Sequence, residues 1–148
     1  MEKLERTPAT FLIALYAILG SLMFFGIQTS KLFRPNAAAA EMAKHPLGQF
    51  DWGFVWSDTL VAGPALLLGG ILLLTRHARA HRLGRLLVFA VFAINLYAMT
   101  FLWIGFWAIG QPIRGIEFWG NVVLTALAVL SMIYLAIQTM NEDRSVQR

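Results

Sequence analysis

Residues 76–85 are RHARAHRLGR, the densest run of positive charge in the chain. Long apolar stretches lie on both sides of this run. Together with two others they form four stretches, at about residues 9–28, 57–75, 86–109 and 116–139. Each is close to the length of ~20 predominantly apolar residues that a helix needs to cross a membrane. The basic run is therefore predicted to be a short loop at one membrane face.

The composition agrees with a membrane environment. Apolar residues make up 58% of the 148 residues and charged residues 14%, whereas soluble proteins have ~45–50% and ~25%. Helices satisfy their own backbone hydrogen bonds in lipid, and no strand-like alternation indicates a barrel. We therefore predict a single all-α membrane domain, a compact antiparallel bundle of four transmembrane helices.

Other classes of protein are excluded or disfavoured by the same composition. The chain has no cysteine, which excludes disulfides and thiolate metal sites. Its net charge of +4 comes from loops and termini, so it indicates topology and contact with lipid headgroups, and no nucleic acid partner is expected. No cofactor is indicated.

The first loop is the only long one. Pro35 and Asn36 followed by alanines predict a short extra helix, which Pro46 is expected to stop. Residues 50–56 have the aromatic composition of a membrane interface, so the second transmembrane helix is predicted to begin near Ser57.

The orientation follows from the Lys and Arg count near the ends of the spans. Eight of these residues lie on the side of the termini and the second loop, and four, including Lys31 and Arg34, lie on the other side. This predicts both termini in the cytoplasm, in a bacterial cytoplasmic membrane. The basic residues expected to contact lipid headgroups are Arg76, Arg79, Arg82 and Arg85, with His77 and His81 beside them.

The five tryptophans all fall at span ends on the opposite side. They are Trp52, Trp56, Trp103, Trp107 and Trp119. An aromatic belt that anchors the interface is one interpretation. The other interpretation is a pocket that opens outward. Trp52 and Trp56 are spaced i,i+4, as are Trp103 and Trp107, so each pair places two rings on one helix face.

Stripes of small and polar residues indicate the faces on which helices meet in lipid. They are Thr10, Ala14, Ala17, Ser21 and Gln28 in the first span; Asp58, Ala62, Ala65 and Gly69 in the second; and Glu117, Asn121, Thr125, Ala128 and Ser131 in the fourth. These stripes are predicted to face one another.

Asp58 and Glu117 are the carboxylates that lie on these stripes, at the outer ends of their spans. With Asp51, the five tryptophans and Asn121, they form the candidate ligand site. Helix capping is an alternative explanation for both, and an ion pair between Arg114 and Glu117 is another. No metal-ligand spacing of a known kind is present.

Two functions are consistent with this sequence. The first is a small non-enzymatic subunit or accessory factor that contacts lipids and other membrane subunits or copies of itself. The alternative is outward-facing binding or transport of a hydrophobic or cationic molecule, such as a lipid or quinone. An enzyme is not favoured, because no base, nucleophile or metal triad is visible.

Overall fold

The computed structural model describes residues 7–44 and 48–146, without the side chains of residues 48–51 and 143–146. Most of this part of the chain is helical, and none of it forms a strand. Four helices are long and apolar enough to cross a membrane: Pro8–Phe33, Trp52–Leu73, Ala78–Ala108 and Gly115–Glu142. The predicted all-α fold with four apolar helices is thus confirmed.

The helices follow in a simple order. They are α1 (Pro8–Phe33), α2 (Pro35–Met42), α3 (Gly48–Ser57), a π-helical segment (Asp58–Ala62), α4 (Gly63–Leu73), α5 (Ala78–Ala108) and α6 (Gly115–Val146). The helix α2 is the short extra helix predicted in the first loop. Two glycines have positive φ, at which other residues would be strained: Gly110 in the connection between α5 and α6, and Gly115 at the first position of α6.

The second apolar helix begins earlier than the sequence predicted. Helical structure starts at Gly48 and continues through Ser57 into the π-helical segment and α4. Pro64 explains the π turn, because it has no N–H and its ring would clash with the carbonyl of residue 60 in a regular α-helix. Widening the turn accommodates the ring without ending the helix.

The basic run is also more helical than predicted. The helix α5 starts at Ala78, and the N–H of His81 donates to the carbonyl of His77 at 2.9 Å in its first turn. Alanine, leucine and arginine all favour helix, so the charge run continues the helix instead of interrupting it. The loop between α4 and α5 is therefore shorter than residues 76–85.

The chain divides into two compact units, one up to Val88 and one from Phe89 onward. In the first unit α1 packs against α4, and the α1 stripe is buried: Thr10, Ala14, Ala17 and Ser21 are at most 2% exposed. The backbones of neighbouring helices come so close together at Gly70 and Gly84 that a side chain there would collide with backbone atoms. A Cβ at Gly70 would lie 3.0 Å from the carbonyl oxygen of Ala14, and one at Gly84 would lie 2.7 Å from the nitrogen of Leu73.

The second unit contains the remainder of α5 and all of α6. Val91 and Phe92 of α5 are buried, as are Ala128 and Ser131 of the predicted α6 stripe. The rings of Trp103 and Phe118 stack with their centroids 5.7 Å apart. The end of α5 and the start of α6 are therefore in contact through these two rings.

Candidate functional site

Asp58 is the carboxylate that the structure places inside an apolar helix. It is the first residue of the π-helical segment, within the candidate span Trp52–Leu73, and only 8% exposed. Because the helix already begins at Gly48, Asp58 does not cap a helix N-terminus. The capping explanation is therefore wrong for this residue.

A side chain from α1 holds the Asp58 carboxylate. The Nε2 atom of Gln28 donates to Asp58 Oδ2 at 3.1 Å. The charge of Lys31, one turn further along α1, also acts on this carboxylate. The first and second predicted stripes thus meet through Gln28 and Asp58, as the sequence predicted.

A second polar contact joins the same elements. Ser21 Oγ donates to the carbonyl oxygen of Gly63 at 2.8 Å, in a buried position. The N–H of Gly63 donates to the carbonyl of Asp58, which closes the π turn. A Cβ at Gly63 would lie 2.7 Å from that carbonyl oxygen, so glycine is required at this residue. The contact fixes the π turn against α1 just beyond Asp58.

Further polar atoms are buried on Gln28 and on the residues that follow Gln28 and Asp58 in the chain. Gln28 Oε1, Thr29 Oγ1 and Thr59 Oγ1 are covered, and none has a hydrogen-bond partner in the described part of the chain. Thr29 and Thr59 are the chain neighbours of the bonded pair. Buried polar atoms are nearly always paired, and each unpaired one costs about 1–3 kcal/mol. We call Gln28, Thr29, Asp58 and Thr59 the Asp58 cluster.

The other two candidate carboxylates differ from Asp58. Glu117 is exposed in the first turn of α6, where its charge complements the helix dipole, and it has no ion pair with Arg114 or any other described residue. Glu117 belongs to the second unit and Asp58 to the first, so their convergence stays a prediction. The side chain of Asp51 lies outside the described residues.

The tryptophans have unequal environments. Trp103 stacks on Phe118, and its indole Nε1 is buried with no partner among the described residues. Trp107 is 74% exposed, and Trp56 and Trp119 are also exposed. The Trp103 and Trp107 rings thus do not share one covered pocket within the second unit. Trp52 and Asn121 are half-buried.

The predicted headgroup contacts also divide into two groups. Arg76, Arg79 and Arg82 are exposed, so for these three the expectation stays a prediction. Arg85 is 2% exposed and His81 is 5% exposed, and His81 Nδ1 lies 3.0 Å from the carbonyl oxygen of Leu73. These two are spaced i,i+4 on the face of α5 that approaches α4, which corrects their predicted contact with headgroups.

Thr29, Thr59 and Lys31 were not among the predicted site residues. The signal for Thr29 and Thr59 was weak, because threonine is common in membrane helices and each lies beside the stripe instead of on it. Among the described residues, no group of three or more His, Asp or Glu side chains is arranged to hold a metal ion.

Comparison of the chain with models of protein families, with curated proteins and with solved structures found no match. The function proposed for the site therefore depends on the chemistry of its own residues.

Proposed function

We propose that this protein binds a small cationic or hydrogen-bond-donating molecule at the Asp58 cluster. The supporting observation is the Asp58 carboxylate itself, 8% exposed within an apolar helix and paired with Gln28. Ionisable side chains within membrane spans are costly, and they usually occur where an ion or substrate is handled. The adjoining π turn is of a kind that is frequent at functional sites.

The ligand class follows from the atoms that lack partners. A carboxylate and an amide oxygen can only accept hydrogen bonds, and the two threonine hydroxyls can accept or donate. The cluster therefore has acceptors to spare and a negative charge. A primary ammonium group supplies donors and a positive charge, so it fits both properties.

The test compares two carboxylates in the full chain. We expect the purified protein in detergent to bind decylammonium more tightly than decanol, a neutral probe with an alkyl chain of the same length. Asp58→Asn should weaken decylammonium binding at least about tenfold, because a charge-assisted hydrogen bond contributes ~1.5–3 kcal/mol. Glu117→Gln, which removes an exposed carboxylate, is the matched control. Titration calorimetry measures both.

Equal binding of decylammonium by the Asp58→Asn variant and the original chain would contradict the proposal. Circular dichroism and thermal unfolding of each variant separate loss of the ligand from loss of the fold. A fall in stability with unchanged affinity would make the Asp58 and Gln28 contact purely structural.

A second candidate function is a subunit of a larger membrane assembly. In the most apolar stretches of α5 and α6 only 17% of the residues are buried, whereas 39% are buried in the corresponding stretch of the second span. Lipid can cover apolar side chains, but Asn121 and Thr125 are half-buried polar residues on α6 for which a protein partner is the better environment. Co-purification with a second protein from mild detergent would support this function, and a clean monomer would count against it.

For the whole molecule we propose an antiparallel four-helix bundle in a bacterial cytoplasmic membrane, with both termini in the cytoplasm. The charge count supports the orientation. The contacts Ala14 to Gly70, Ser21 to Gly63 and Gln28 to Asp58 support opposite directions for α1 and α4. An aromatic belt of exposed tryptophans at the outer interface is part of the same proposal.

A further inference from the structure

A cavity of about 350 Å³ lies where the end of α1 meets α2, and none of its lining residues belongs to the Asp58 cluster. Its lining residues are Ser30, Lys31, Arg34, Ala37, Ala38, Glu41 and Met42. This volume is within the ~300–1,000 Å³ of typical small-molecule sites. The cavity is therefore large enough for a ligand of the size of a phosphoglycerol group.

The wall of the cavity carries excess positive charge. Lys31 and Arg34 line it, and neither forms an ion pair with another described residue. The carboxylate of Glu41 is within 2.9 Å of Lys44 Nζ, so its charge is offset. The site thus favours an anion, and a guanidinium beside an ammonium is suited to phosphate.

Part of the cavity lining is apolar. Ala37, Ala38 and the buried Met42 form it. Lys31 is in the last turn of α1, at the end of the candidate span Pro8–Phe33, which is where lipid headgroups meet a transmembrane helix. An apolar wall next to two cations at this depth fits a phosphate that carries hydrocarbon.

We propose that this cavity binds the phosphate of an anionic lipid headgroup, with Lys31 and Arg34 as its ligands and Ala37, Ala38 and Met42 against the glycerol and upper acyl chain. The proposal also explains why Lys31 and Arg34 are on the predicted outer side, which has fewer basic residues than the side of the termini and the second loop. The lining residues are separate from the Asp58 cluster, although the charge of Lys31 also acts on the Asp58 carboxylate.

Native mass spectrometry of the full chain in detergent tests the proposal. We expect dioleoylphosphatidylglycerol to bind more tightly than dioleoylphosphatidylcholine, and the double variant Lys31→Gln, Arg34→Gln to bind it at least about tenfold more weakly. The double variant Arg144→Gln, Arg148→Gln removes the same charge near the end of the sequence, at residues that are not predicted headgroup contacts, and is the control. Its affinity should change less than threefold.

Ala38→Leu is a second variant that keeps every charge and fills the cavity. It should also weaken binding of phosphatidylglycerol, whereas Asp58→Asn should not. Equal loss in the Arg144 and Arg148 control would overturn the proposal, because it would show attraction to net charge alone. Inorganic phosphate that displaces the lipid at equal concentration would overturn the assignment to a lipid.

Discussion

At the scale of single residues, two side-chain hydrogen bonds connect α1 with the π turn and its neighbouring residues. Ser21 and Gln28 of α1 each donate one hydrogen bond to the neighbourhood of the π turn. In lipid no water is present to satisfy these polar groups. The measured contribution of one such hydrogen bond to stability is nevertheless modest, about 0.6 kcal/mol on average and about 1.7 kcal/mol at most. Their main effect is to fix where α1 and the π turn meet.

We predict that Ser21→Ala lowers the free energy of unfolding by about 0.6–1.7 kcal/mol, because the buried carbonyl of Gly63 loses its donor. Ser30→Ala is the control, since Ser30 is exposed and donates only to Ile27 of its own helix. Unfolding in mixed micelles, followed by circular dichroism, measures the difference. Equal stability of the two variants would contradict the prediction.

How far the sequence predicted these residues depends on the kind of signal. Small residues at helical spacing predicted the buried α1 face, including Ser21, because close helix packing in lipid selects them. The same spacing placed Gln28 and Asp58 on facing stripes. It failed for the environment of Asp58, because a carboxylate next to Ser57 resembles a cap when the true helix start is not recognised.

At the scale of helices, glycine sets the distance between α4 and α5. A Cβ at Gly84 would meet the nitrogen of Leu73 at 2.7 Å and the carbonyl oxygen of Gly69 at 2.8 Å, both backbone atoms that cannot rotate away. His81 and Arg85 are buried on the same side of α5. The amino-terminal turns of α5 are therefore held directly against the backbone of α4.

We predict that Gly84→Ala destabilises the protein by about 1–3 kcal/mol, the usual range for an overpacked contact. Gly120→Ala is the matched control, because nothing lies within 4 Å of a Cβ there, and alanine favours helix over glycine by ~1 kcal/mol. It should leave stability unchanged or raise it. Thermal unfolding of both variants in the same detergent provides the comparison, and a Gly84→Ala variant as stable as Gly120→Ala would refute the close contact.

Helix ends were predicted less well than helix existence. Pro35 and Gly110 were reliable signals, since α2 begins at Pro35 and α5 ends at Ala108 just before Gly110. The early start at Gly48 was missed because glycine and aromatic residues have low helix propensity, which tertiary contacts of α3 with α1 override. The charge of the run from Arg76 predicts a loop, whereas α5 already begins at Ala78, because arginine, alanine and leucine favour helix.

At the scale of the whole molecule, the absence of cysteine makes the orientation directly testable. We predict that Arg79→Cys is protected from a membrane-impermeant maleimide in intact cells, and that Trp107→Cys is labelled, because the proposed cytoplasmic and outer faces carry these exposed residues. Both should react after the cells are opened. Labelling of Arg79→Cys in intact cells would reverse the proposed orientation.

The π turn has a consequence for how relatives of this protein are compared with it. A π turn corresponds to one additional residue in an otherwise α-helical stretch. A chain one residue shorter between Trp52 and Pro64 lacks the residue that the π turn adds, and every side chain before the deletion is then turned by about 100° relative to α4. Such a chain would keep its hydropathy profile and point its carboxylate elsewhere. The length of this interval is thus a marker, readable without any structure, that separates relatives with the Asp58 pairing from those without it.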